Sequence, residues 1–157
     1  MMSELLRKHA SLIVTMLLAT SAASSSSAQT LDGSGEPVIG TVVRFTSEAT
    51  SVDVTIGADS PAVRDFLSML PLTLTLEEHA GREKIGTLPR ALTLDGSPGS
   101  DPEDGDLIYF VPWGNLGFYY NAEGIGYSDQ TLHIGTYEAS PEQLEALEGT
   151  VTIDVAL

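Results

Sequence analysis

The chain has no cysteine, one tryptophan, and only 7 lysines and arginines against 22 acidic residues among 157. Each shortage closes a class of function. Without cysteine there is no disulfide, no thiolate nucleophile, no thiolate zinc site and no anchor for a lipid at a cleavage site. A formal net charge of −15 repels nucleic acid and anionic lipid, so neither is an expected partner. His9, His79 and His133 lie far apart with no HExxH spacing, and no metal or other cofactor is expected. Ser128-Asp129 and His133 lack the G-x-S-x-G elbow of a nucleophilic triad. "GSGEP" lacks the lysine and helix of a phosphate loop. No apolar run reaches the roughly 20 residues that span a bilayer.

The first thirty residues have a three-part organisation. "MMSELLRKHA" supplies Arg7 and Lys8, Ala10 to Ala19 is a short apolar run, and "TSAASSSSAQT" is a small-residue end. A basic start, an apolar middle and a small-residue end make a secretory signal peptide. Ser26 and Ala28 suit the −3 and −1 positions, so residues 1–28 are expected to be removed and the mature protein to be periplasmic or secreted. No membrane association is expected after cleavage. Residues 29–37 read as a flexible leader and 38–157 as one domain. Loss of Arg7, Lys8 and Glu4 leaves 5 basic and 21 acidic residues, a net charge of −16.

Beyond the leader the hydrophobic period is mostly two. In "TSVDVTIG" Val52, Val54 and Ile56 alternate with Asp53 and Thr55. In "PLTLTLEE" Leu72, Leu74 and Leu76 alternate with Thr73, Thr75 and Glu77, and in "TVTIDVAL" Val151, Ile153, Val155 and Leu157 align. Successive strand side chains point to opposite faces, so these are predicted strands with one buried and one wet face. Further strands are predicted at 38–46, 84–87, 91–94, 107–111, 116–120 and 131–137. Two short helices interrupt them. Ser60 is an N-cap with Pro61 at the first helical position, Val63, Phe66, Leu67 and Leu70 form one stripe, and Pro71 should stop the helix at Leu70. Ser140 and Gln143 form a capping box, with Gly149 where a left-handed helix end is expected and Leu144 and Leu147 as a narrow stripe. Short one-sided strands need a closed or doubled sheet to hide their apolar faces. The expected fold is mainly β, an antiparallel barrel or sandwich plugged by two helices.

Three stretches carry a family resemblance. "DFLSMLPLTLTLEEHAGREKIGTLPRAL", "GDLIYFVPWGNLGFYYN" and "GYSDQTLHIGTYE" resemble the bacterial cyclophilin-like proteins, over Val38 to Leu157. That resemblance implies a closed eight-stranded antiparallel barrel with two short capping helices, in a family mostly without assigned activity. Catalytic cyclophilins carry a Phe-His-Arg stretch whose Arg reaches the substrate proline, and a Gln-Gly-Gly-Asp stretch beyond it. This chain has no Phe-His-Arg, and Gly105-Asp106 stand without Gln-Gly before them. An isomerase must lower a barrier of about 18–20 kcal/mol. No catalytic residue is therefore carried across, and the leading reading is an exported, non-catalytic binding module for a small molecule or peptide. The alternatives are a weak or divergent peptidyl-prolyl isomerase with Arg82 or Arg90 as a substitute donor, and a structural domain acting through its acidic surface.

The aromatic residues concentrate in "GDLIYFVPWGNLGFYYN". Pro112 to Asn115 read as a turn between two strands, because Pro cannot donate to a ladder and Gly-Asn suits a turn. Trp113 at its tip has two open placements, exposed or folded over a barrel mouth. Tyr109, Phe118 and Tyr120 alternate with Phe110, Gly117 and Tyr119, so one set should face the core. "GREKIGTLPR" gathers Arg82, Glu83, Lys84 and Arg90, with Glu83 able to pair with either neighbouring base. The expected ligand groove is lined by Arg82, Glu83, Arg90, Pro112, Trp113, Asn115, Phe118 and Tyr120. "LDGSPGSDPEDGDL" does not fit a calcium loop and reads as a turn-rich connector.

Overall fold

The computed structural model describes residues 37–157. The expected signal peptide, its cleavage after Ala28 and the leader to Glu36 lie outside the described residues. The elements in chain order are β1 (Val42–Thr46), β2 (Ser51–Ile56), α1 (Pro61–Ser68), β3 (Leu72–His79), β4 (Glu83–Thr87), β5 (Asp106–Phe110), β6 (Asn115–Tyr119), β7 (Thr131–Tyr137), α2 (Pro141–Ala146) and β8 (Gly149–Val155). The eight strands close into a barrel in the order β1-β2-β7-β5-β6-β4-β3-β8, every neighbour antiparallel. The last strand closes it. β8 pairs with β1 through Val43–Val155 and Phe45–Ile153, and with β3 through Leu74–Val151. Closure leaves no unpaired edge.

Alternation sets what lies inside. Val43 and Phe45, Val52, Val54 and Ile56, Leu74 and Leu76, Leu107 and Tyr109, Leu116 and Phe118, Leu132 and Ile134, and Val151 and Ile153 fill the interior. Phe118 stands edge-on to both Phe45 and Tyr137, with centroids 4.8 and 5.2 Å apart. At one barrel end α1 buries Ala62, Val63 and Phe66. Ser60 Oγ accepts from Val63 N at 3.2 Å, as its capping position predicts. The helix stops at Ser68, two residues short of expectation, because Met69 and Leu70 N–H turn to the i−3 carbonyls of Phe66 and Leu67. At the other end α2 has the full capping box, Gln143 N to Ser140 Oγ and Ser140 N to Gln143 Oε1. Its C-cap is Leu147, which is fully buried. Gly149 is left-handed (φ 77°), but it opens β8 instead of ending the helix.

Two predicted strands change. Residues 38–41 form a turn, so β1 begins only at Val42. Residues 91–94 form no ladder. Leu92 N donates to Tyr109 Oη at 3.2 Å and Thr93 N to Asp65 Oδ2 at 2.6 Å, while Leu92 is buried. The period of two there reports a segment lying with one side against the barrel end, its backbone satisfied by side chains in place of a neighbouring strand.

Candidate functional site

The barrel register fixes three rows on the outer face of β3, β4, β6 and β5. His79, Glu83 and Tyr119 share one row, Ile85, Gly117 and Ile108 the next, and Thr87, Asn115 and Phe110 the third. Trp113 projects from the β5–β6 turn and is 58% exposed. Its indole meets His79 from the first row and Phe110 from the third, each edge-on at 5.5 Å between centroids. An indole touching both lies across the middle row. There the missing side chain of Gly117 leaves space that the Glu83 carboxylate occupies, packed beside Ile108 Cδ1. Trp113 is thus exposed, and it roofs the sheet face instead of a barrel mouth.

Beneath this roof the polar groups are incompletely paired. Glu83 is only 9% exposed and Asn115 3%. Glu83 Oε2 and Asn115 Oδ1 are the buried side-chain polar atoms with no hydrogen-bond partner among the described residues. Asn115 Nδ2 is satisfied by the Leu116 carbonyl at 3.0 Å. Burial pushes the Glu83 carboxyl up from its ordinary value. His79 opposes that rise, and the Glu78 charge adds to it.

The basic residues expected beside Trp113 are elsewhere. Glu83 pairs with neither of its basic neighbours. Arg82 donates to the Asn121 and Glu123 carbonyls at 3.3 and 2.6 Å, tying two turns together. Arg90, past the far end of β4, makes a bidentate pair with Asp65 of α1 at 2.7 and 2.8 Å, which holds that carboxyl well below its usual range. Phe118 belongs to the core, and Tyr120 continues the inward-facing set, so neither lies on the outer face. Pro112 sits in the turn before Trp113. Of the expected groove residues, the structure therefore brings together Glu83, Pro112, Trp113 and Asn115.

A concavity opens at the α2 end of the barrel, away from this face, a cavity of about 640 Å³ lined by residues including Glu78, Lys84, Tyr120, Tyr137 and Leu144. Lys84 points inward, level with Phe118, and its ammonium lies 3.3 Å from Glu78 and 3.2 Å from Glu148. Tyr120 Oη donates to Glu78. Burial, that hydrogen bond and the neighbouring carboxylates raise the Tyr120 phenol to about 12. Burial alone would lift Glu78, but Tyr120, Lys84 and the Gly81 N–H together hold it below its ordinary value.

Two residues of this region are invisible to motif reading. His79 matters as a clamp on the indole. Its parity with Thr73, Thr75 and Glu77 already places it on the wet face of β3. Lys84 lies inside while Ile85 lies outside, the reverse of what hydrophobicity suggests. Among the described residues no cluster of His, Asp or Glu side chains is placed to hold a metal ion.

A model of the cyclophilin-like family matches residues 45–156. The solution structure of a hypothetical protein from Archaeoglobus fulgidus is similar, with a TM-score of 0.62 at 19% identity, covering 78% of this chain and 99% of that one. No curated protein matches.

Proposed function

The chain belongs to the cyclophilin-like family, and we propose that it is an exported, non-catalytic binding module whose small-molecule or peptide ligand stacks on Trp113. The observation that carries this reading is the exposed indole held edge-on between His79 and Phe110. An exposed aromatic plane offers a stacking face to a planar apolar group. The positions of the arginines also support binding over isomerisation. Arg44 pairs with Asp53, Arg64 with Asp59, Arg90 with Asp65, and Arg82 with backbone carbonyls. Each is engaged with an acidic side chain or with backbone carbonyls, whereas a prolyl isomerase of the related type needs a donor guanidinium beside its apolar pocket. Export rests on the three-part organisation of residues 1–28.

The test has two arms. Relaxation of a cis Xaa-Pro peptide, followed without a coupling protease, is expected to show no acceleration by the purified domain. Catalysis that vanishes in Arg82→Ala or Arg90→Ala, with folding intact, would establish the isomerase instead. Ligand panels containing planar apolar groups are expected to quench Trp113 fluorescence. Trp113→Ala is expected to abolish the same binding measured by calorimetry, with a stability loss of about 1 kcal/mol from the two lost edge contacts. N-terminal sequencing of the native protein checks export, with Gln29 as the expected first residue.

A further inference from the structure

We infer that the Trp113 site selects an organic cation: an apolar group that stacks on the indole, joined to an ammonium N–H donor that reaches Glu83. The inference rests on the binding reading above and adds the ligand's polarity. It starts from the two orphaned atoms. Glu83 Oε2 and Asn115 Oδ1 are both acceptors, both buried, and both in rows that the indole bridges. A buried acceptor without a donor forfeits its hydrogen bonds to water and receives nothing in exchange. Two such atoms under one exposed side chain form an acceptor floor beneath a movable roof.

The roof is the part able to yield. Trp113 stands in a turn, more than half exposed, held by two ring-edge contacts. Turning the indole outward uncovers the Glu83 carboxylate, which fills the space left by Gly117 beside Ile108 and feels only the His79 ring as a neighbouring source of positive charge. The donors nearest in sequence are committed elsewhere, Arg82 to the Asn121 and Glu123 carbonyls and Lys84 to Glu78 and Glu148. An incoming ammonium would thus meet an unoccupied carboxylate. A carboxylate ligand would meet two acceptors and the field of a chain of net charge −15. Stacking the cation's apolar part on the indole, with its charge near the ring face, adds a cation–π attraction. This polarity is opposite to that of a site built around a donor arginine.

The cation could be a free amine or a lysine side chain in a peptide, and the probes separate the two. Phenethylammonium, phenethyl alcohol and phenylacetate present one ring with a cationic, neutral or anionic end, and N-acetyl-lysyl-phenylalanine amide presents the ammonium on a peptide. All are titrated against Trp113 fluorescence at an ionic strength of about 0.15 M, where long-range attraction is largely screened. The expected result is that the amine or the lysyl peptide binds at least tenfold tighter than the alcohol, and that phenylacetate does not bind. Glu83→Gln should remove that tenfold preference, bringing the amine and the alcohol to the same affinity, and Glu48→Gln, an exposed acid elsewhere, should leave the preference intact. Equal binding of alcohol and amine, or an amine preference that survives Glu83→Gln, overturns the inference while the stacking site stands. If none of the probes or wider ligand panels perturbs Trp113, the binding reading itself fails.

Discussion

Glu83 carries a pH signature of its own. Its carboxyl is raised by burial, with His79 and Glu78 from β3 acting on it and Tyr119 from β6 beside it in the same row. A raised folded value means that the folded state holds the proton more tightly than the unfolded chain. Stability is therefore lost as pH rises from the unfolded carboxyl's range, about 4.3, through the folded value, and the full loss persists above it. Glu83→Gln removes this term. It is expected to melt a few degrees above the parent at pH 7, on the scale of about 1 kcal/mol, with the gap closing at pH 4. Thermal melts at the two pH values decide it, and a variant that melts lower at pH 7 would mean the carboxylate has a partner after all. Lys84 gives the contrast. Its ammonium is nearly buried while Glu148 is half exposed, so Glu148→Ala should cost at most about 1 kcal/mol. At this scale the sequence marked Glu83, Trp113 and Asn115 as candidates, but it offered Glu83 either neighbouring base as a partner, and the structure gives it neither. Pairing depends on which face each of Arg82, Glu83 and Lys84 takes, and a run of three charges carries no period to reveal that.

At the scale of elements, alternation was readable wherever one face was wet. β2, β3 and β8 follow their leucine, isoleucine and valine positions, except that Val155 and Leu157 at the end of β8 are exposed instead of sharing the buried face of Val151 and Ile153, and both N-caps follow from Ser-Pro. β4 was not readable in this way, because its outer Ile85 is half covered and its inner Lys84 finds carboxylates at the barrel mouth. Residues 91–94 show the converse, an alternating segment whose hydrogen bonds go to Tyr109 and Asp65. β7 adds a constraint of close approach. A Cβ at Gly135 would run into the Thr55 backbone carbonyl across the β2–β7 ladder, with Val54 also in the way. Backbone cannot yield as a side-chain tip can. Gly135→Ala is therefore expected to destabilise by about 1–3 kcal/mol in chemical denaturation. Gly117→Ala meets only the movable Glu83 carboxylate and Ile108, and should cost less.

For the whole molecule, the barrel was legible as a count of one-sided strands, and its closure as the need to pair the first and last of them. β8 satisfies both β1 and β3, so deleting 150–157 exposes two edges at once and is expected to abolish cooperative unfolding. A truncated domain that melts as the parent does would place the closure elsewhere. The same pairing has a mechanical consequence. Val43 lies opposite Val155, and Ala156 N donates to the Val42 carbonyl at 2.8 Å, so the chain enters β1 and leaves β8 at the same end of the ladder. A tether drawn through residues 37 and 157 would pull these two strands apart crosswise, loading one hydrogen bond at a time, like a zipper drawn from its open end. A barrel closed by hydrogen bonds all the way round is thus built to yield to low force along one seam.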